Sequence, residues 1–221
     1  MGYQLSFTQI WRNFDRLLHG LALSLEMALV AIFIGALIGL LLAVIYVPAG
    51  RFVRTIIAAY VEFIRNVPLL LLVYLVFYGL PTLVSIKYDA TTSFVVTLSV
   101  FAGAHLVEVF RAGLDSVPRG LIDAGKAMGL TPWQRLVHVR LPTMTRLTLP
   151  ALSNTFISLF KDTAVASAIA VPELTNGAQW INTKTFRIVE VYSVTTVIYL
   201  VVGYAILFCL RLIERRFRVE R

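Results

Sequence analysis

Residues Asp115–Pro142 read DSVPRGLIDAGKAMGLTPWQRLVHVRLP, the longest polar, charge-bearing segment between hydrophobic runs. Arg111, Arg119, Lys126, Arg135, Arg140 and Arg146 lie in or beside it. A stretch this long and polar stays outside hydrocarbon, where unpaired backbone and charged groups are costly. It also has internal order. Pro118 can open a helix, because its missing N–H is not needed in the first turn. Asp123-Ala124-Gly125 continues that helix, and Gly129 is placed to end it. Thr131 reads as an N-cap with Pro132 at the first helical position and Gln134 two residues later, an approximate capping box. The second helix runs to Val139, and Leu141-Pro142 is expected to stop it. The segment therefore predicts helix, glycine break, helix: a compact knob on a membrane surface.

Composition sets the class around the knob. The chain has 221 residues, 58% of them hydrophobic, with 14% charged and a mean hydropathy of +0.81. Soluble domains carry about 25% charged residues. The reading is an all-α integral membrane protein forming one domain over residues 1–221. Its net charge of +8 fits positively charged cytoplasmic loops. Membrane lipid is then the chain's surroundings, and nucleic-acid binding is disfavoured. The one cysteine, Cys209, cannot form an internal disulfide.

Residues 1–20 are expected to form an amphipathic interfacial helix. Phe7, Ile10, Trp11, Phe14, Leu17 and Leu18 recur at three- and four-residue intervals. Five spans come after it, at about residues 21–46, 55–80, 91–110, 146–170 and 192–212. The first holds Gly35 and Gly39, a small-residue pair that permits close helix contact. The second carries Glu62 and Arg65, spaced to pair on one helix face, and Pro68 within the span. Glu108 and Arg111 close the third, which also holds a lone His105. The fourth is the least apolar. Its uncharged run from Leu147 to Phe160 meets Lys161 and Asp162, and Asn154, Thr155, Ser158, Lys161 and Asp162 fall in one broad stripe. Such charges face a bundle interior or a watery path, or they pair to hold helices together. The segment 172–190 is read as a loop.

The basic residues assign an orientation. With the N-terminus outside, Arg51 and Arg54, the arginines and lysine of the knob, and the C-terminal arginines fall on the cytoplasmic side. Arg12, Arg16, Lys87, Lys184 and Arg187 fall on the other. His19, His105 and His138 are scattered, and no catalytic or metal-binding motif joins them. No G-x-x-x-x-G-K-[ST] phosphate loop occurs in the sequence.

The pattern D-A-G-x3-G-x9-V-x-L-P, made by Asp123, Ala124, Gly125, Gly129, Val139, Leu141 and Pro142, resembles the EAA loop of permease subunits of ATP-binding-cassette importers. Asp123, Gly125 and Val139 depart from the family's Glu, Ala and Ile. Gly125 should weaken its helix by roughly 1 kcal/mol relative to alanine. Y60-V-E62-F-I-R65-N-V-P68, E108-V-F-R111-A-G113 and N154-T155-F-I-S158-L-F-K161-D162-T163 resemble runs of the polar amino acid branch of that family.

The resemblance implies a type I importer permease fold in a bacterial cytoplasmic membrane, with no catalysis and no cofactor in this chain. It implies a second permease subunit, itself or a paralogue, to complete the translocation path. Two ATPase subunits would bind ATP and Mg²⁺ and receive the knob, and an extracytoplasmic binding protein would deliver an amino acid. By position, Thr155, Ser158 and Asp162 are the implied substrate contacts, with Leu69 as an apolar wall. Glu62, Arg65, Glu108, Arg111 and Lys161 would be structural charges. The alternative is an ion-coupled secondary transporter using the Lys161 and Asp162 charges, which would not need the knob.

Overall fold

A computed structural model describes residues 4–84 and 88–217 of the chain. Lys87, Arg218 and Arg221, three of the orienting charges, lie outside the described residues. In chain order the helices are α1 (Thr8–Arg12), α2 (Phe14–Tyr46), α3 (Arg51–Asn66), α4 (Leu69–Tyr74), α5 (Leu80–Val84), α6 (Ala90–Asp115), α7 (Arg119–Ala127), α8 (Pro132–Arg135), α9 (Leu141–Asp162), α10 (Leu174–Thr185) and α11 (Ile188–Phe217). Among the described residues there is no strand.

Three helices, α2, α6 and α11, are each long and apolar enough to cross a membrane. Two bent pairs raise the number of possible spans to five: 51–66 with 69–83, bent by 104°, and 132–169 with 174–185, bent by 46°.

The frame is the α2–α6 pair. Gly35 and Gly39 lie on α2 where it crosses α6. A Cβ on Gly35 would stand 2.6 Å from the Ala102 Cβ, and one on Gly39 2.8 Å from the Leu106 Cβ. The small-residue pair thus brings two helices of one chain together. Leu98, Ala102, Leu106 and Leu114 of α6 are fully buried beside it.

The N-terminal segment differs from a single interfacial helix. Asn13 interrupts it, α1 ends at Arg12, and Phe14 already belongs to the first long helix. Ile10 and Leu17 are fully buried against Leu174, Ala178 and Ile181 of α10. Their periodicity faces protein, while Trp11 remains exposed.

Segment 172–190 is mostly helix rather than loop. Glu173, fully buried, caps α10 by accepting from the Thr175 and Asn176 amides at 2.9 and 2.7 Å. The same carboxylate accepts from the Tyr199 hydroxyl of α11 at 3.1 Å and the Ser24 hydroxyl of α2 at 3.3 Å. One acid therefore ties three helices, and its four donors offset part of the cost of burying a carboxyl group.

Pro68 does more than kink a span. Val67 is forced into extended backbone (φ −96°, ψ 131°) and α3 ends at Asn66. Pro142 does the reverse of what the sequence suggests. The chain does not stop there: a π-helical turn, Leu136–Arg140, joins α8 to α9, so that 132–169 runs on without a break in helical structure. Pro142 lacks the N–H that would close an α-turn onto His138. The π-turn changes the hydrogen-bond step just ahead of that missing donor.

Candidate functional site

Two features stand at opposite ends of α9: the knob and a polar cavity. In the knob, α7 closes with both hydrogen bonds of a Schellman motif. The Leu130 amide donates to Gly125 O at 3.0 Å and the Gly129 amide to Lys126 O at 2.9 Å, with Gly129 at φ +75°. A left-handed residue is needed there, and glycine takes it without a Cβ penalty. Thr131 and Gln134 complete a full capping box, Gln134 N to Thr131 Oγ1 at 3.3 Å and Thr131 N to Gln134 Oε1 at 2.9 Å.

The knob is fastened from within. Arg135 donates to Leu130 O at 2.8 Å, and its alkyl stem covers Gly125. Arg140 donates to Leu114 O at 3.0 Å, tying the knob to the end of α6. Asp123 pairs with Lys126 at 2.8 Å, and this hydrogen bond holds its carboxyl below the usual carboxylate range. Asp123, Ala124, Gly129 and Pro142 are exposed, Leu141 is half-buried and Gly125 is buried. Met128 is 70% exposed and Trp133 65%, an apolar surface of the kind that partners cover.

At the other end, Thr155, Ser158 and Asp162 of α9 line one cavity of about 410 Å³. Asn154 and Leu159 of the same helix and Phe101 and His105 of α6 complete it. Thr155 donates to Ala151 O at 3.0 Å, which leaves its oxygen to accept. Asp162 has no ion-pair partner among the described residues. Lys161 is exposed and does not line the cavity, since consecutive helical residues point about 100° apart. A Lys161–Asp162 pair is therefore not formed.

Leu69 does not line this cavity. It is buried in the core with Val73, Phe94, Leu159 and Ala166, because the chain turns at Pro68 and starts α4 inward. Phe101 carries no signal in the sequence beyond its four-residue spacing to His105, which places both on one face of α6.

His105 also lines a second cavity of about 400 Å³, with Glu62, Arg65 and Asn66 of α3 and Glu108 and Arg111 of α6. Glu108 and Arg111 pair at 2.8 Å as their spacing predicts. Glu62 and Arg65 do not pair: no salt bridge joins them among the described residues, and both are exposed. Asn66, one residue on, donates back to Glu62 O at 2.7 Å as α3 ends. Among the described residues no group of three or more His, Cys, Asp or Glu side chains is arranged to hold a metal.

Known proteins share this architecture. Residues 7–219 match the family described as the binding-protein-dependent transport system inner membrane component. The glutamine transport system permease protein GlnP of Escherichia coli (strain K12) is 31% identical over 217 residues, covering 98% of this chain and 99% of that protein. The L-cystine transport system permease protein TcyB of Bacillus subtilis (strain 168) is 34% identical over 198 residues, 89% of this chain and 84% of that one. A crystal structure of an amino acid ABC transporter with histidines superposes with a TM-score of 0.90 at 30% identity, covering 97% of this chain and all of that one. The chain belongs to the family of inner membrane components of binding-protein-dependent transport systems.

Proposed function

We propose that this chain is the permease subunit of an ATP-driven importer of amino acids. The observation that carries the reading is the run of helix from Pro132 through the π-turn to Asp162, with the knob at one end and the polar cavity at the other. At 1.5 Å per residue it spans about 45 Å, enough to carry a push at the knob to the depth of the cavity.

Each end has a defined task. Residues 115–142 dock on a partner ATPase, which binds ATP and Mg²⁺; this chain holds neither. Two ATPase subunits closing on nucleotide move two such knobs, and the helices behind them swing between inward- and outward-open states. A rigid capped helix transmits that motion, whereas a flexible loop would absorb it. A second permease subunit, a copy or a paralogue, closes the other wall of the path. An extracytoplasmic binding protein loads it from the side opposite the knob, which faces the cytoplasm together with the C-terminus.

In the cavity the Asp162 carboxylate takes the substrate's ammonium group in a charge-assisted hydrogen bond. Thr155 and Ser158 supply hydroxyls beside it. The relatives named for glutamine and L-cystine support an amino acid as cargo. Thr155 is neutral, so this subunit offers one acid at the site and favours a zwitterion over a cationic amino acid.

The test is uptake by the reconstituted complex carrying Asp162→Asn. Loss of a hydrogen bond to a charge costs about 1.5–3 kcal/mol, so uptake at low substrate should fall by about tenfold or more while the ATPase still co-purifies. Normal uptake would leave Asp162 with a structural role only. Uptake that survives ATP depletion but stops when the proton or sodium gradient is collapsed would overturn the importer reading in favour of an ion-coupled carrier.

A further inference from the structure

We propose that a basic cavity between α9 and α11 binds the headgroup of an anionic phospholipid, with the acyl chains lying along α11. The cavity, about 410 Å³, is lined by Arg146, Leu149, Pro150, Arg211, Glu214 and Arg215. Three guanidinium groups face one carboxylate, so it carries a net positive charge. None of the three arginines makes an ion pair with a described acidic side chain. All three are exposed. Arg211 and Arg215 are four residues apart on one helix face, and the planar guanidinium fork matches phosphate oxygens.

The depth of the cavity argues for lipid over a free anion. From Val191 to Leu210 the sequence of α11 is uncharged, a run of about 30 Å at 1.5 Å per residue, the thickness of the hydrocarbon core. Arg211 is the first charge after that run, which sets it at headgroup level. On α9, Arg146 is likewise the last charge before the uncharged run from Leu147 to Phe160. The most apolar stretch of α11 has no buried residue. Tyr204 is 66% exposed and Phe208 64%, about two turns and one turn before Arg211. Phosphate chemistry at the interface and an apolar helix face leading away from it together describe a phospholipid. The proposal rests on α9 and α11 crossing a membrane and not on which solute is carried.

The experiment uses the full-length chain in its purified complex. The complex is incubated with phosphatidylglycerol or with phosphatidylcholine of the same acyl chains, and retained lipid is read by native mass spectrometry. Phosphatidylglycerol should be retained in preference. Each arginine replaced should weaken its retention about five-fold, and R146Q/R211Q/R215Q on the order of a hundred-fold. R146K/R211K/R215K should keep most of the preference, which separates lost charge from lost fold. R211Q alone should read the five-fold step where the triple variant does not fold, and R51Q should change nothing. Equal retention of the two lipids, or undiminished phosphatidylglycerol in R211Q and the triple glutamine variant, overturns the proposal. Complete displacement of phosphatidylglycerol by millimolar inorganic phosphate would make this a small-anion site and would also overturn it.

Discussion

Pro68 and Pro142 sit in comparable sequence contexts, each leading into an apolar or mixed helix, and the chain treats them in opposite ways. At Pro68 the chain turns by 104° between α3 and the helix beyond it. At Pro142 helical structure continues from the knob to the cavity. The difference lies upstream. Before Pro68, Asn66 ends α3 and Val67 is extended, the conformation that a succeeding proline favours. Before Pro142 a π-turn has already altered the hydrogen-bond step. Pro81 repeats the second arrangement: a π-turn at Leu75–Gly79 leads into Leu80-Pro81, just as Leu136–Arg140 leads into Leu141-Pro142. A proline thus ends a helix at Pro68 and rides within one at Pro81, Pro142 and Pro150. Under the proposed function, the contrast would couple one polar region through a continuous run of helix while the other sits beside an elbow.

The largest effect should come from breaking the rod. Two glycines inserted between Arg140 and Leu141 lengthen and loosen it where the π-turn meets α9. Uptake should fall to background while the ATPase still co-purifies, because the two capped helices of the knob, α7 and α8, lie upstream of the insertion. Coupled uptake in that variant would refute transmission through the rod.

A smaller loss is expected at Gly129. A glutamate there must hold φ near +75°, which costs a residue with a Cβ roughly 1–2 kcal/mol. Retention of the ATPase should weaken by about tenfold. Retention and uptake equal to the unaltered chain would show that the turn does not orient the knob.

The smallest effect is predicted at the elbow. Leu69, Leu72 and Val73 are buried beyond Pro68, so packing holds the bend in place. Pro68→Ala should leave helix content by circular dichroism unchanged and uptake within about two-fold. A large loss would mean that the proline alone sets the angle, and would weaken the contrast with Pro142.

The knob was legible because its information is local. Glycine at a left-handed position and a Thr-x-x-Gln cap act within a few residues, as does the Glu108–Arg111 pair near the end of α6. The cavity was half legible: three-and-four spacing placed Thr155, Ser158 and Asp162 on one face of α9. Which helix faces them could not be read, since α6 presents several apolar faces of similar composition. Phe101 and His105 therefore entered only with the packing.

Leu69 and Glu62 mark where local reasoning stops. A spacing of three allows Glu62 and Arg65 to pair, but their cavity leaves both exposed. Leu69 belongs to the core because the elbow turns it inward. The buried Glu173 shows the same limit, since its bonds to Ser24 and Tyr199 span 149 and 26 residues of sequence.

By itself, the sequence determined a helical membrane protein with a polar, doubly capped knob, since hydropathy and capping depend on near neighbours alone. Only the tertiary structure decided that a helix continues past Pro142, that residues 174–185 form a helix with one buried face, and which side chains meet across the cavity. Those outcomes depend on contacts between residues far apart in the chain, and a hydrophobic pattern says that a face is buried without saying against what.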